Sequence, residues 1–212
     1  MKNILCFGDS NTHGYNPENG HRFSFDIRWT GRLQILLGDK YRIIEEGYNG
    51  RTTLTDDFTN PSKTSRNYLL PCLASHSPLD LIIIMLGTND LKNRFNLTSS
   101  NIAKSMKEIV RLIKTFDFEC DYYKTPEILL VSPIEIDKEI LKRDGDAFDA
   151  GSIKKLSELP KLYEDLAKST GCHFLDAAKF AKPSKADLLH MDAEAHRKFA
   201  DAVYAKVKEI LD

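Results

Sequence analysis

Apolar residues occur along the chain in short runs that alternate with longer stretches in which they recur at helical spacing. A short apolar run is typical of a buried strand, and a spacing of three or four residues is typical of a helix with one packed face. The alternation predicts βαβ units, which form an α/β fold with a parallel sheet covered on both faces. The predicted strands are Ile4–Gly8, Tyr41–Glu46, Leu79–Leu86, Glu127–Ser132 and Cys172–Asp176, and the predicted helices are Ile27–Leu37, Arg66–Ser75, Asn101–Phe116, Ile153–Thr170 and Asp192–Leu211.

The third predicted helix has the clearest pattern, because five of its apolar residues share one face. Residues Thr98 to Ser100 offer caps before it, and Asp192 is a candidate cap for the last helix. The shared face consists of Ile102, Met106, Ile109, Val110 and Ile113.

One long stretch, Pro133 to Ser152, has no regular pattern and mixes isoleucines with many charges and two glycines. Two interpretations stay open for it, a flap over a site and a surface excursion that carries a short helix. No internal repeat, low-complexity tract or Pro/Gly/Ser-rich linker divides the 212 residues. We therefore expect one domain over 1–212.

Composition argues against several classes of function. The 30 basic residues balance 31 acidic ones, so no bulk charge draws the chain to nucleic acid or to an anionic membrane. The longest apolar run, Leu79 to Leu86, is far shorter than the roughly 20 residues that span a bilayer. The chain begins Met-Lys-Asn and continues directly into apolar Ile4 to Phe7. This start leaves no room for a secretory leader, so we expect a cytoplasmic protein without a membrane anchor.

The four cysteines are widely spaced, without the paired spacing of a zinc site or a redox couple. Free and mostly buried thiols are expected. Cys6 is the weakest candidate for a catalytic cysteine, because it lies in the middle of a predicted strand. The four are Cys6, Cys72, Cys120 and Cys172.

Polar segments follow four of the predicted strands. Ligands of open parallel sheets bind beyond the carboxyl ends of the strands, so these segments are expected to converge. Together they are typical of an acyl-transfer site. They read Gly8-Asp9-Ser10-Asn11, Gly47-Tyr48-Asn49-Gly50-Arg51, Gly87-Thr88-Asn89-Asp90 and Asp187-Leu188-Leu189-His190.

Ser10 is the candidate nucleophile, and a serine at pH 7 needs a neighbouring base. His190 is the candidate base. Asp187, three residues earlier, can fold back beside the imidazole, fix its tautomer and stabilise the imidazolium. The remaining histidines are poorer candidates. His196 lies inside the last predicted helix, His76 near the end of a predicted helix and His173 in the fifth predicted strand, while His13 and His21 lie in the loop after the first strand.

A tetrahedral intermediate also needs hydrogen-bond donors for its oxyanion. The candidates are the backbone N–H of Ser10, the backbone N–H of Gly50 and the side-chain amide of Asn89. Each polar segment taken alone is explained by a turn, a helix cap or a solvated ion pair. Their succession, each after a strand, favours a catalytic site.

These segments resemble the four blocks of the SGNH hydrolases, also called GDSL-like lipases and acylhydrolases, which carry Ser, Gly, Asn and His. The blocks here are ILCFGDSNTHG, EEGYNGRTT, IIIMLGTND and DLLHMDAEAH, and they span almost the whole chain. Three further stretches resemble the branch that contains bacterial aryl esterases and the acyltransferases that work in water. They are DIRWTG, NYLLPCLASHSPLD and VSP.

The resemblance implies a flavodoxin-like three-layer α/β/α sandwich with a five-stranded parallel sheet, and hydrolysis or transfer of short acyl groups without metal or cofactor. It makes Ser10 the nucleophile, Gly50 and Asn89 oxyanion partners, and Asp187 with His190 the rest of the triad. Members of this branch often form oligomers, so self-association is expected on the same resemblance.

Two residues depart from the family's first block. Asn11 stands where Leu usually follows the serine, and His13 stands where acyltransferase-like relatives tend to carry Trp. We expect both to line the cleft and to affect substrate preference rather than the triad. Trp29, in the DIRWTG stretch, packs the first helix against the sheet or contributes to an acyl or oligomer contact.

Other functions remain open. A flavodoxin-like module that binds a nucleotide or phosphate, with Asp9 and Asp90 as Mg²⁺ ligands, lacks the GK[ST] and GxGxxG patterns. A metallohydrolase built on Asp9, Asp187 and His190 lacks the several histidines usual at such sites. A catalytically inactive scaffold is the third. Within the esterases, a carbohydrate esterase that deacetylates sugars needs the same triad.

Overall fold

The computed structural model describes residues 1–118, 124–143 and 147–212. Five strands form one all-parallel sheet in the order β2-β1-β3-β4-β5, which is the strand order of flavodoxin-like folds. The predicted α/β class and all five predicted strands are confirmed. The strands are β1 (Lys2–Gly8), β2 (Tyr41–Gly47), β3 (Leu81–Met85), β4 (Glu127–Ser132) and β5 (His173–Asp176).

The described residues contain five longer α-helices, all of which overlap the predicted ones, and one additional short helix. The short helix occupies a segment predicted as a loop, and it begins at the candidate nucleophile Ser10. The helices are α1 (Ser10–His13), α2 (Trp29–Leu37), α3 (Leu69–His76), α4 (Ser99–Lys114), α5 (Ala150–Thr170) and α6 (Ala193–Leu211).

The sheet separates two hydrophobic clusters, which makes the architecture a three-layer sandwich. Successive residues of a strand point to opposite faces. Leu5 and Phe7 of β1 therefore join the cluster beneath α3, α4 and α5, while Ile4 and Cys6 join the cluster beneath α2 and α6. All four β1 side chains have no solvent exposure, as expected for a parallel sheet covered on both faces.

The predicted caps of two helices are confirmed. Thr98 caps α4 by accepting a hydrogen bond from the Asn101 backbone N–H, and Asp192 caps α6 by accepting one from Ala195. Side-chain caps of this kind satisfy N–H groups that have no partner inside the helix. The five apolar residues that share one face of α4 are all buried.

Trp29 is 1% exposed and packs edge to face against Phe199 of α6, with 5.2 Å between the ring centroids. Its indole Nε1 donates a hydrogen bond to the Asn11 carbonyl at 3.1 Å. The packing role predicted for Trp29 is therefore confirmed, and the same ring fixes the backbone directly after Ser10.

Three of the four cysteines lie in the described residues, and all three are free thiols, as predicted. Cys6 and Cys72 are buried and Cys172 is half-buried. Burial, followed by the charge of Glu45, raises the pKa of Cys6 well above its usual value. Cys120 lies outside the described residues.

The irregular segment after β4 packs against the rest of the molecule over its described part. A 3₁₀ helix spans Lys138–Lys142, and the side chains of Ile134, Ile136 and Ile140 are buried. The interpretation as an excursion with a short helix fits these residues, and positions 144–146 lie outside the described residues.

Within the described ranges, none of the helices combines the length and apolar composition needed to cross a bilayer. The single domain, the cytoplasmic location and self-association stay predictions.

Candidate active site

Ser10 begins the short helix α1 immediately after the buried strand β1. Asp9 caps this helix, because its Oδ1 accepts a hydrogen bond from the Asn11 backbone N–H at 3.0 Å. The cap places Ser10 in the first helical turn, where backbone N–H groups have no intrahelical partner. Ser10 is 8% exposed, so its side chain has little contact with solvent.

A close approach between α1 and β2 holds the nucleophile segment in place. A Cβ atom on Gly47 would lie 2.1 Å from the backbone nitrogen of His13, so a side chain there would displace α1. The Tyr48 backbone N–H donates to the Gly8 carbonyl at 3.1 Å, which joins the second block to the end of β1. Gly47 is thus required by packing and not only by a turn.

The structure brings Ser10, His190 and Asp187 together. His190 Nε2 lies 2.8 Å from Ser10 Oγ, and His190 Nδ1 lies 2.5 Å from Asp187 Oδ2. Both distances are within hydrogen-bond range. This is the geometry in which an imidazole removes a proton from a serine while a carboxylate fixes its orientation.

The segment Asp187–His190 folds back on itself through a turn centred on Leu188. Leu188 has a φ of +68°, a left-handed conformation that costs a residue with a side chain about 1 to 3 kcal/mol. Two backbone hydrogen bonds hold Leu188 in this conformation. Its carbonyl accepts from the Asp137 N–H at 2.9 Å, and its N–H donates to the Ser184 carbonyl at 2.8 Å. The segment after β4 therefore supports the histidine turn, a role that no local signal in the sequence revealed.

Asp187 is held in its ionised form. Burial opposes ionisation, but hydrogen bonds from the ring and backbone of His190 outweigh it and lower the pKa of Asp187 below its usual value. The Asp187 Oδ1 atom accepts the backbone N–H of Leu189 at 3.0 Å and that of His190 at 2.9 Å. A carboxylate with this many donors stays charged beside the imidazole.

Tyr15 packs on the imidazole of His190, with 4.4 Å between the ring centroids and an interplanar angle of 40°. No local pattern in the sequence indicated this contact, because Tyr15 lies in the loop after α1 and far along the chain from His190. The ring covers one side of the candidate base and limits how the imidazole can turn.

Gly50 and Asn89 lie in two loops that are joined by a hydrogen bond. Gly50 has a φ of +80°, which a glycine adopts without strain. The Asn89 side-chain amide donates to the Arg51 carbonyl at 3.1 Å, which uses one of its two hydrogens. Among the described residues, the backbone N–H groups of Ser10 and Gly50 have no hydrogen-bond partner.

The buried carboxylate of Asp90 joins the same two loops. It accepts hydrogen bonds from the Thr53 N–H at 3.0 Å, from Thr53 Oγ1 at 2.6 Å and from Thr55 Oγ1 at 2.8 Å. An unpaired buried carboxylate is costly, so these donors explain why an acidic residue follows Asn89. Asp90 positions the second block relative to the third.

Asn11 is 4% exposed and its Oδ1 accepts the backbone N–H of Met191 at 2.9 Å. The side chain thus holds the chain after His190 against α1. His13 is half-buried beside Gly47, and burial, followed by the charge of Arg22, lowers the pKa of its imidazole. Substrate contact by Asn11 and His13 stays a prediction.

One group of potential metal ligands occurs in the described residues, formed by Glu46, Cys72 and His76. The Glu46 carboxylate is already hydrogen-bonded to His76 at 2.9 Å and accepts from the Tyr68 hydroxyl at 3.0 Å. Burial raises the pKa of Cys72 to about 12, which disfavours the thiolate that a metal needs. The three residues lie at the outer side of β2 and do not contact the triad.

Asp9 differs electrostatically from Asp187. Burial, together with the nearby Asp90 charge, outweighs the hydrogen bonds from Asn11 and Thr88 and the charge of His190, and raises the pKa of Asp9 to about 6. A carboxyl whose pKa is higher in the folded state binds its proton more tightly there. The free energy of unfolding therefore rises as the pH falls from above 6 toward the unfolded value of 3.8.

We predict that wild type gains about 1 kcal/mol of unfolding free energy relative to Asp9→Asn between pH 7.5 and pH 5. Asparagine keeps the oxygen that caps α1 and removes the titration. Urea denaturation at both pH values measures the difference, with exposed Asp39→Asn as the control. An equal pH response in wild type and Asp9→Asn would contradict the raised pKa.

Comparisons with known proteins identify the family of this chain. The profile of the GDSL-like lipase/acylhydrolase family matches residues 6–198. The native aryl esterase of M. smegmatis is 38% identical, with a TM-score of 0.93 over 100% of both chains. A carbohydrate acetylesterase family member from Sinorhizobium meliloti is 35% identical, with a TM-score of 0.93 over 100% of this chain and 99% of that one.

A comparison with curated protein sequences gives no match. The family profile and the structural neighbours nevertheless cover nearly the whole chain, and the resemblance predicted from the four blocks is confirmed. The chain belongs to the GDSL-like lipase/acylhydrolase family.

Proposed function

We propose that this protein is a serine-dependent carboxylic ester hydrolase that acts on short acyl esters through an acyl-enzyme. The observation that carries the proposal is the continuous hydrogen-bonded series from Asp187 through His190 to Ser10. Family membership supports a hydrolase of esters, and the two structural neighbours are an aryl esterase and a carbohydrate acetylesterase family member.

In the proposed reaction, Ser10 Oγ attacks the ester carbonyl while His190 Nε2 takes the hydroxyl proton. Asp187 stabilises the imidazolium that results. The proton then passes to the departing alcohol as the carbon–oxygen bond breaks, which leaves an acyl group on Ser10. Water, or an acceptor alcohol, then attacks the acyl-enzyme with His190 as base, and Ser10 regains its proton.

The oxyanion of each tetrahedral intermediate would be held by the backbone N–H groups of Ser10 and Gly50 and by the Asn89 amide. Two observations support this assignment. Both backbone N–H groups lack a partner in the described residues, and the amide of Asn89 keeps one hydrogen after its bond to Arg51. Donors that are already in place need no reorganisation during the reaction.

Treatment with a small fluorophosphonate should give one adduct, on Ser10, and a matching loss of phenyl acetate hydrolysis. The reagent reports a serine activated by a base. Intact-mass measurement and peptide mapping locate the adduct. Ser10→Ala should remain unlabelled and lose a factor of about 10⁴ or more in kcat.

Labelling of folded His190→Ala at the wild-type rate would contradict the role of His190. A folded wild-type protein without any adduct would favour the ligand-binding module over an enzyme. Circular dichroism confirms that each variant is folded.

Asn89→Ala should reduce kcat by a factor of about 10² to 10³ and leave KM nearly unchanged, because an oxyanion donor acts mainly in the transition state. Steady-state kinetics on phenyl acetate separate the two parameters. Exposed Asn67→Ala is the matched control and should retain wild-type kcat. A rise in KM at constant kcat would instead assign Asn89 to substrate binding.

A carbohydrate acetylesterase is the second candidate, favoured by the structural neighbour from Sinorhizobium meliloti. We expect kcat/KM for phenyl acetate to exceed that for an acetylated monosaccharide, because the half-buried ring of Tyr15 packs on His190 and an aromatic ring beside the candidate base suits a flat aryl group. Parallel kinetics with both esters measure the preference. A clear preference for the sugar would make deacetylation the function.

A further inference from the structure

A lysine side chain lies directly against one of the candidate oxyanion donors. A Cβ atom on Gly50 would lie 3.3 Å from Cδ of Lys63 and 3.6 Å from its Nζ. The Lys63 ammonium donates a hydrogen bond to the Asn49 carbonyl and lies 4.1 Å from the centroid of the Tyr48 ring. These contacts hold a positive charge beside Gly50.

A second lysine follows the other candidate donor. Lys92 comes directly after the 3₁₀ turn Asn89–Leu91, and its backbone N–H donates to the Asn89 carbonyl at 3.3 Å. The side chain is half-buried. In the part of the chain that the structure describes, its ammonium makes neither a hydrogen bond nor an ion pair.

Several charged side chains act on the ammonium of Lys92. Burial, followed by the positive charge of Arg94, lowers the pKa of Lys92, and the charges of Asp57, Asp9 and Lys63 also act on it. The hydrogen bond from the Lys92 backbone N–H to the Asn89 carbonyl keeps Lys92 within one turn of this candidate oxyanion donor.

Neither nearby acid is free to neutralise Lys92. Asp57 is 3% exposed, forms an ion pair with Arg94 at 2.6 Å and accepts hydrogen bonds from Thr59. Asp9 is buried and caps α1. A half-buried ammonium without a partner has lost part of its hydration without compensation, so an anionic group that enters the cleft would supply the missing contact.

We propose that Lys63 and Lys92 form a cationic subsite beside Gly50 and Asn89, and that the enzyme prefers esters that carry a carboxylate group. This inference rests on the proposed esterase function and specifies its substrate class. The carboxylate can belong to the alcohol part or to the acyl part of the ester, because both parts are bonded to the carbonyl carbon whose oxygen the proposed donors hold.

Two matched pairs of esters distinguish these sources. For the alcohol part, 3-acetoxybenzoate is compared with neutral 3-acetoxybenzamide. For the acyl part, phenyl hydrogen adipate is compared with phenyl methyl adipate. The quantity measured is the ratio of kcat/KM for the charged ester to kcat/KM for its neutral partner, in wild type and variants, so that any general loss of activity cancels.

In at least one pair, the ratio should fall by about threefold to tenfold in Lys92→Met and in Lys63→Met, as expected for the loss of one partly solvated charge contact. Lys92→Arg should keep the wild-type ratio, because arginine carries the same positive charge. The wild-type ratio should also decrease with added salt. Exposed Lys104→Met on α4, which removes an equal charge far from the cleft, should keep the wild-type ratio.

Equal ratios in wild type and both Met variants, for both pairs, would overturn the subsite. If that result comes with Ser10 labelled by fluorophosphonate and neutral esters hydrolysed, the subsite alone has failed and the esterase proposal stands. If Ser10 is not labelled and no ester is hydrolysed, the esterase proposal fails and the subsite fails with it.

Discussion

Complete burial of the central strand β1 is the constraint on which the rest of the molecule depends. Its side chains Ile4 to Phe7 fill the clusters on both faces of the sheet, and its backbone pairs with β2 on one side and β3 on the other. Burial of this apolar area is the main source of stability. The strand therefore cannot shift, and Ser10, two residues beyond its end, has a fixed position above the sheet.

Buried hydrogen bonds hold the loops of the candidate site in place relative to β1 and α1. Asp90 joins the second and third blocks through two threonines, and Asn11 joins α1 to the chain after His190. Each contact pairs a buried polar group that would be costly if left alone. Removal of one partner would therefore displace a loop of the candidate site as well as weaken the fold, so these contacts position the site.

The electrostatics of the site follow from how its carboxylates are solvated and paired. Asp187 receives several hydrogen bonds and stays ionised, whereas Asp9, on which the charge of His190 also acts, is so deeply buried that its pKa is raised. Two carboxylates near one imidazole thus differ in pKa because their surroundings differ. In the proposed subsite, the positive charges of Lys63 and Lys92 would act on the substrate and not on the triad.

The sequence by itself determined the α/β class, the five strands and the identity of the candidate catalytic residues, because strand burial and helix capping leave periodic signals within a few residues. It also placed Asp187 three residues before His190, a spacing that a single turn can close. Helix α1 was not predictable, because four residues carry no period. Only the tertiary structure decided the contacts of Tyr15 with His190, of Asp137 with the Leu188 turn, and of Lys63 with Gly50. Each contact joins residues that are distant along the chain or that lie in loops without a periodic pattern. Such contacts form only when the chain folds, so no local pattern predicts them.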